Sequence, residues 1–240
     1  MKILVVNDDS ISAPGIALLA QVAAEFADVW VVAPAEQCSA LSQKLTLRDP
    51  ISLEKVTDFP APVAAAWKLG GTPVDCVKVA MEYLMEEKPD WVFSGINNGY
   101  NAGYDIAYSA TLGAAFEAAR NGISAIAFSI AGDAHLSDAQ QWLRTVIREL
   151  LMEEPGAGMV WNVNFPAIKK TGVQGILRNR TVAPCSMYRE TYIETLLPDG
   201  RKALLCKGIP TPDARIPEGT DAAAVRAGYI SIGEVKCGVM

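Results

Sequence analysis

Short runs of wholly apolar residues alternate with helical patterns through the first two thirds of the 240-residue chain. The apolar runs cover 3–6, 29–33, 91–94 and 125–130, and the helical patterns lie around 15–26, 73–86 and 111–121. Within these runs apolar and polar residues do not alternate, which is typical of parallel strands that helices cover on both faces. The rhythm therefore predicts an α/β fold with a doubly wound, mostly parallel sheet.

The pattern changes after residue 166, where short polar and extended segments replace the regular alternation. The elements predicted from residue 136 onward are a helix over 139–151, a strand over 159–165, a hairpin around Pro198-Asp199-Gly200-Arg201, and a short helix followed by a strand within 219–235. We expect a single domain over 1–240, with an α/β core over 1–166 and a C-terminal extension over 167–240. The extension is also the expected site of self-association.

Charge and cysteine content exclude several classes of protein. Lysine and arginine number 21 against 27 acidic residues, so the net charge of −6 argues against binding to a nucleic acid backbone. No apolar run approaches the roughly 20 residues of a membrane span, and the N-terminal run is too short for a secretory signal. The five cysteines are scattered without a C-x-x-C pair, which argues against disulfides and zinc. We expect a cytoplasmic protein without a membrane partner.

Motifs of several familiar active sites are missing from the sequence. It contains one histidine, His135, and no G-x-S-x-G elbow, so a Ser/His/Asp triad has little support. No cysteine has an arginine six positions later, and neither a Walker loop nor G-x-G-x-x-G occurs. The chemistry must therefore depend on carboxylates, amides and hydroxyls.

Oxygen-bearing side chains follow three of the predicted strands. Asp8 and Asp9 come after the first strand, residues 33–39 follow the second, and residues 95–103 follow the strand at 91–94. Ligands of open parallel sheets bind beyond the carboxyl ends of the strands, so these loops should converge. An all-oxygen set suits Mg²⁺, Mn²⁺ or Ca²⁺, and a cation would offset the repulsion between the two acids. The alternative is that Asp9 or Ser10 caps the next helix while Asp8 is solvated.

A phosphate site is predicted at the start of the helix around 111–121. The stretch Tyr108-Ser109-Ala110-Thr111-Leu112-Gly113 places hydroxyls beside the free N–H groups of a helix N-terminus, which attract anions. Ordinary capping by Ser109 or Thr111 explains the same residues. Both interpretations remain open from this stretch alone.

Seven motifs in order resemble one known family, the SurE survival proteins, which are metal-dependent nucleoside monophosphate phosphatases. The motifs are Asn7-Asp8-Asp9, Ala33-Pro34 leading to Ser39, Leu45-Thr46-Leu47, Gly71-Thr72-Pro73 with Asp75-Cys76-Val77-Lys78, Ser94-Gly95-Ile96-Asn97 with Gly99 and Asn101, Asn162-Val163-Asn164 with Pro166, and Gly228-Tyr229-Ile230-Ser231-Ile232. Each motif is weak by itself, but their order along nearly the whole chain makes the resemblance specific.

The resemblance implies a Rossmann-like three-layer α/β/α sandwich whose C-terminal β-hairpin extension is exchanged between subunits of a homodimer or homotetramer. It implies a 5'-nucleotidase or acid-phosphatase-type phosphoric monoester hydrolase that acts on nucleoside 5'- and 3'-monophosphates. One divalent cation per subunit is expected, Mg²⁺ or Mn²⁺, with Ca²⁺ as a substitute in crystals. Carried over by motif, the metal ligands are Asp8, Asp9, Ser39 and Asn97, and the phosphate-binding residues are Asn97, Asn101, Ser109 and Thr111.

Four residues depart from the family pattern. The family usually has glycine where Ser10 stands, arginine at Cys38, histidine near Gln43 and glycine at Ala110. None of these positions is an expected metal ligand. The departures therefore bear on rate and substrate preference.

The expected mechanism is hydrolysis by a metal-activated water, with Asp8 or Asp9 as the catalytic carboxylate that orients or deprotonates it, Asp8 being preferred. A covalent aspartyl-phosphate is less favoured because the haloacid-dehalogenase pattern has its acids two residues apart. A receiver-like, magnesium-binding signalling module would need a third aspartate where Ser94 and Asn97 stand. A nucleotide-binding protein without catalysis is the remaining alternative.

Overall fold

The structure is a computed structural model that describes residues 1–167, 172–212 and 216–238. The strands are β1 (Lys2–Val6), β2 (Asp28–Pro34), β3 (Leu53–Val56), β4 (Ala65–Leu69), β5 (Trp91–Asn98), β6 (Ser124–Ile130), β7 (Met159–Phe165), β8 (Ile176–Leu177), β9 (Tyr188–Leu196), β10 (Lys202–Pro210) and β11 (Ile230–Lys236). The α-helices are α1 (Pro14–Ala23), α2 (Pro73–Val79), α3 (Ala110–Arg120), α4 (Leu136–Leu150) and α5 (Asp221–Arg226). A π-helical turn, Ala80–Leu84, continues α2, and a 3₁₀ helix, Tyr104–Tyr108, precedes α3.

Nine of the eleven described strands form one sheet in the order β3-β4-β2-β1-β5-β6-β7-β11-β8, and β9 and β10 form a separate two-stranded sheet. Within the nine-stranded sheet, β3 runs antiparallel to β4 and β11 antiparallel to β7, while the other neighbours are parallel. The predicted α/β class with a mostly parallel sheet is confirmed.

Helices cover both faces of this sheet. Successive strand residues point to opposite faces, so a strand that is apolar at every position packs against helices on both sides. In β1, Ile3 and Val5 belong to the cluster that includes the buried side chains of α1 and α4. Leu4 and Val6 belong to the cluster that includes α2 and α3. The wholly apolar strand runs are thus explained by a three-layer sandwich in which β1 is buried on both faces.

Three features of the core differ from the sequence-based expectation. The helix predicted over 73–86 is α-helical only to Val79 before it becomes the π-helical turn. Strand β5 does not stop at Ser94 but continues to Asn98, with an irregularity in its pairing to β6 between Ser94 and Asn97. The edge strand β3 and its neighbour β4 were not predicted, because their sequences LEKV and AAWKL carry neither a long apolar run nor clear alternation.

The extension contains the predicted hairpin, β9 and β10, paired antiparallel from Leu196↔Lys202 to Tyr188↔Pro210. The chain then returns to the main sheet through α5 and β11, as expected. The carboxylate of Asp221 joins the two parts, since it accepts hydrogen bonds from the backbone N–H groups of Gly103, Ala183 and Ala222. Across the described ranges, no helix has the length and apolar character needed to cross a bilayer.

Candidate metal and phosphate site

The candidate site lies where the chain changes direction in the sheet. From the central strand β1 the chain proceeds outward to β2 and β4, and then crosses to β5 on the other side of β1. The crossovers on the two sides leave a crevice beyond the carboxyl ends of β1 and β5, the usual ligand site of such sheets. Asp8 and Asp9 follow β1 at this crevice, as the sequence predicts.

Asp8 is buried and held by contacts from two distant parts of the chain. Its Oδ1 accepts a hydrogen bond from the Thr111 hydroxyl at 2.7 Å, and its backbone oxygen accepts one from the Cys38 N–H at 2.7 Å. Thr111 lies in the first turn of α3, and Cys38 lies in the loop after β2. Asp8 is therefore held between the loop after β2, through its backbone, and the first turn of α3, through its side chain.

Asp9 is less buried and is held by the loops on either side. Its Oδ2 accepts a hydrogen bond from the Asn98 backbone N–H at 3.0 Å, and its Oδ1 accepts one from the Gln37 amide at 3.3 Å. Asn98 ends β5, and Gln37 lies in the loop after β2. The expected convergence of the three loops is thus seen in direct contacts to both carboxylates.

A buried network of hydrogen bonds reaches Asp8 through Thr111. The Asn101 amide nitrogen donates to the hydroxyls of Thr111 at 3.3 Å and Ser129 at 2.7 Å. The Asn164 carbonyl oxygen, Oδ1, accepts from the Asn101 backbone N–H at 2.9 Å. The backbone oxygen of Asn101 accepts from the amides of Asn162 at 2.8 Å and Asn164 at 3.1 Å. A continuous chain of hydrogen bonds therefore runs from β7 through Asn101 and Thr111 to Asp8.

Burial of Asp8 gives the site a distinctive electrostatic character. Loss of solvation, opposed by the Thr111 hydrogen bond and reinforced by the charge of Asp9, raises the pKa of Asp8 to about 6. Among the described residues, neither Asp8 nor Asp9 forms an ion pair with lysine or arginine. The neighbouring Asn7 Oδ1 is buried without a hydrogen-bond partner. Uncompensated carboxylates beside an unpaired amide oxygen fit a hard divalent cation.

The loop that carries Ser39 is anchored by α2 and α3. Asp75, in the first turn of α2, accepts hydrogen bonds from the N–H and hydroxyl of Thr46 at 3.1 and 2.7 Å. At Gly113 of α3, an added Cβ would lie 2.2 Å from the Ser42 backbone oxygen, so only glycine allows this approach. Two of the sequence motifs, those around Thr46 and Asp75, therefore hold the loop in place.

The other predicted site residues lie next to these contacts in the chain. Ser39 is exposed and follows Cys38, and Asn97 precedes Asn98. The Asn97 amide donates to the Gly99 backbone oxygen at 2.8 Å. Ser109 caps α3 by accepting a hydrogen bond from the Leu112 N–H at 3.1 Å. Among the described contacts, no direct hydrogen bond joins the side chains of Ser39, Asn97 or Ser109 to Asp8 or Asp9.

Four polar residues of the site were not assigned a role from the sequence: Gln37, Ser129, Asn162 and Asn164. Asn162 and Asn164 had a usable signal, because two amides spaced i, i+2 in an apolar strand must lie on the same face. Gln37 and Ser129 carry no such signal. Their contacts to Asp9 and Asn101 join residues 28 positions apart in each case, which only the fold brings together.

The four departures from the family pattern have distinct surroundings. Ser10 has φ of 91°, the left-handed region that glycine adopts most easily, which explains a preference for glycine there. Cys38 is partly buried, and its Sγ lies 3.9 Å from the Gly71 oxygen. Gln43 contacts Cys237 Sγ at 3.5 Å, and Ala110 is fully buried at the start of α3.

The fold and the site together define an α/β protein with an oxygen-donor site at the switch point of a doubly wound sheet. Its side chains are carboxylates, amides and hydroxyls. In the described ranges, no group of three or more His, Cys, Asp or Glu is placed to hold a metal.

Comparison with known proteins agrees with this class. The family model described as "Survival protein SurE" matches residues 3–190. Proteins named 5'-nucleotidase SurE from Thermoanaerobacter sp. (strain X514) and Neisseria gonorrhoeae (strain ATCC 700825 / FA 1090) are 39% and 36% identical over 234 residues, which is 97% of this chain and 90% and 91% of theirs. The crystal structure of the SurE protein from Aquifex aeolicus superposes with a TM-score of 0.81 at 31% identity, covering 98% of this chain and 93% of that one. The chain belongs to the SurE family, which confirms the resemblance seen in its motifs.

Proposed function

We propose that this protein is a phosphomonoesterase that hydrolyses nucleoside 5'- and 3'-monophosphates to nucleoside and phosphate. The observation that carries the proposal is the buried Asp8, held by Thr111 at 2.7 Å and next to Asp9 without a cationic side chain to balance it. Relatives that match nearly the full length are named 5'-nucleotidase SurE, which supports the same activity.

The proposal includes one divalent cation, Mg²⁺ or Mn²⁺, held by Asp8, Asp9, Ser39 and Asn97. Asp8 and Asp9 carry the charge. Ser39 comes from the loop after β2 and Asn97 from the end of β5, and their chain neighbours Cys38 and Asn98 bond directly to Asp8 and Asp9. When bound, such a cation stabilises charge on the phosphate oxygens and makes a water molecule more acidic.

Five free cysteines are consistent with a reducing, cytoplasmic environment.

The chain's own residues then supply binding and orientation. Asp8 is the preferred catalytic carboxylate, since it is buried beside Asp9 and the Thr111 hydroxyl holds its Oδ1 at 2.7 Å. The start of α3 is buried next to Asp8, and the proposal assigns its N–H groups, flanked by Ser109 and Thr111, to the phosphate. Asn97 and Asn101 complete the phosphate-binding group, and the Asn101 network keeps Thr111 against Asp8. Positioning of this kind supplies much of the rate of phosphoryl transfer.

Removal of the metal tests the proposal directly. The purified protein should hydrolyse AMP and p-nitrophenyl phosphate when Mn²⁺ is present, and EDTA should abolish the turnover because it removes the cation that the proposal needs to stabilise charge and activate water. Phosphate release, measured before and after chelation and again after excess Mn²⁺ is added, is the readout. Turnover that is unaffected by EDTA would contradict the metal, and saturable AMP binding without turnover would identify a nucleotide-binding protein instead.

We also propose that the extension associates with a second subunit to form a homodimer or homotetramer. The hairpin β9–β10 presents exposed apolar side chains, among them Tyr192, Leu196, Leu204 and Leu205. A two-stranded hairpin with such a surface is marginally stable alone in water, so cover by another chain would stabilise it.

Substitution of the hairpin surface tests the assembly. Leu204→Asp should shift the molar mass by light scattering toward the 25.6 kDa of one chain, because a charge in a buried apolar contact is costly. Met152→Asp is the matched control, since Met152 is also highly exposed but lies after α4, away from the hairpin. A wild-type protein that is already monomeric would contradict the proposal.

A further inference from the structure

We propose that a cavity beside Asp9 binds the nucleoside part of the substrate, with His135 as the side chain that stacks on the base. This inference rests on the proposed phosphomonoesterase function, since it assigns the leaving-group side of the same site.

The cavity adjoins the candidate metal site through Asp9, the one proposed ligand in its lining. It has a volume of about 550 Å³, and its lining includes Asp9, Gln37 and Asn98, the three residues joined by the hydrogen bonds described above. Its floor includes Ile96 and Ile130, each only 2% exposed, so that side of the cavity is apolar. A space of this size with an apolar floor and a few polar groups at one end is typical of small-molecule sites.

The charges around the cavity select a neutral occupant. Its lining contains no lysine or arginine, and Asp9 is its one acidic side chain. A second or third phosphate placed here would find no basic side chain in the lining to pair with. A nucleoside carries no charge and has a flat apolar ring for the isoleucine floor. The lining therefore suits the uncharged nucleoside part of a substrate better than a further phosphate group.

His135 is the one aromatic side chain of the lining. It is exposed at the residue before α4, and its backbone N–H lies 3.4 Å from Asp138 Oδ2. The backbone oxygen of His135 also accepts a hydrogen bond from the Asp138 N–H at 2.9 Å, so backbone contacts hold the start of α4 in addition to the imidazole. An exposed ring at the wall of an apolar-floored cavity is placed to stack on a base, an interaction worth about 1–3 kcal/mol per base where it has been measured by alanine substitution.

The experiment compares a substrate that has a base with one that lacks it. For the Mn²⁺-loaded protein, His135→Ala should lower kcat/KM for AMP by about 5- to 100-fold, mainly through KM, because the lost stacking acts on binding. Hydrolysis of ribose 5-phosphate, which keeps the sugar and phosphate, should be unchanged. His135→Phe should restore AMP hydrolysis, since phenylalanine retains the aromatic face.

Two matched variants locate the base. Gln141→Ala changes another exposed residue of α4 that does not line the cavity and should behave as wild type. Tyr104→Ala removes an exposed ring from a different cavity of about 430 Å³ that reaches Ser109. If Tyr104→Ala, rather than His135→Ala, selectively weakens AMP hydrolysis, the nucleoside lies in that other cavity and the assignment of His135 is wrong. Equal losses on AMP and ribose 5-phosphate in His135→Ala would also overturn it.

Direct binding separates this inference from the proposed function. Adenosine, which has no phosphate to hydrolyse, is titrated into wild-type and His135→Ala protein by calorimetry. Weaker adenosine binding in the variant supports the cavity even if wild-type protein turns over no phosphomonoester, in which case the proposed function alone fails. Equal adenosine affinity in both proteins overturns the cavity assignment whatever the turnover.

Discussion

The Asp8→Asn protein is expected to keep its fold and to lose turnover by about 1,000-fold or more. The asparagine has the same shape, and its Oδ1 can still accept the Thr111 hydroxyl bond that Asp8 Oδ1 accepts at 2.7 Å. It lacks the negative charge that the proposed cation needs and the basic oxygen that takes a proton from water. Initial rates of AMP hydrolysis at saturating Mn²⁺, with circular dichroism to confirm the fold, measure the loss.

The same substitution should stabilise the metal-free protein, which a purely structural role for Asp8 would not produce. Burial raises the pKa of Asp8 from 3.8 to about 6, so its ionisation costs free energy of folding. This cost is absent below pH 4, grows as the pH rises toward 6 and stays constant above it. In EDTA, Asp8→Asn should therefore be more stable to urea than wild type by about 1–3 kcal/mol at pH 8 and by little at pH 4.

A control identifies the effect as local to the site. Asp58→Asn removes one negative charge from an exposed position and should change neither turnover nor the pH dependence of stability by much. Full activity of Asp8→Asn would remove the basis of the proposed mechanism. Loss of activity together with loss of stability at pH 8 would mean that Asp8 is needed for the fold instead.

The parts of the fold that were predicted correctly are those whose signal lies within a few residues. Residues 3–6 are apolar at every position because β1 is buried on both faces, so the strand is visible in the sequence. Strand β3 has the sequence LEKV and lies at the sheet edge with its charged residues exposed, so nothing local distinguishes it from a loop. The extension of β5 to Asn98 also could not be foreseen, because Gly95 and Asn97 are typical of loops.

In the candidate site, too, residues with a local sequence signal were predicted and their distant partners were not. The pair Asp8 and Asp9 stands out because two like charges follow an apolar run. The partner of Asp8, Thr111, lies 103 residues away, and the sequence offers capping as an equally good explanation of that threonine. The structure shows that Ser109 does the capping while Thr111 faces Asp8, so the two hydroxyls, alike in the sequence, have different tasks. Which hydroxyl makes which contact depends on how α3 packs against the sheet, and no local sequence pattern determines that packing.

Asn164→Leu is expected to destabilise the protein by about 2–4 kcal/mol and to reduce turnover of the folded fraction by about 100-fold. Leucine fills similar space but cannot make the three hydrogen bonds of Asn164, two to the Asn101 backbone and one to Asn162. Buried polar groups then lose partners, which sets the cost in stability. Asn101 is no longer held against Thr111, so the cost in rate comes from misplacement of Asp8. Urea denaturation and AMP kinetics at saturating Mn²⁺ measure the two effects.

Ser231→Ala is the matched control for that variant, since Ser231 pairs with Asn164 across β7 and β11 and is equally buried. Its hydroxyl has no hydrogen-bond partner among the described residues, so its removal should leave both stability and turnover nearly unchanged or raise stability slightly.

Combining Asn164→Leu with Thr111→Val then tests whether the network acts as one path. If Asn164 works through Asn101 and Thr111, the double variant should lose far less activity than the product of the two single losses. Independent, multiplicative losses would mean that Asn164 supports only the local packing of β7.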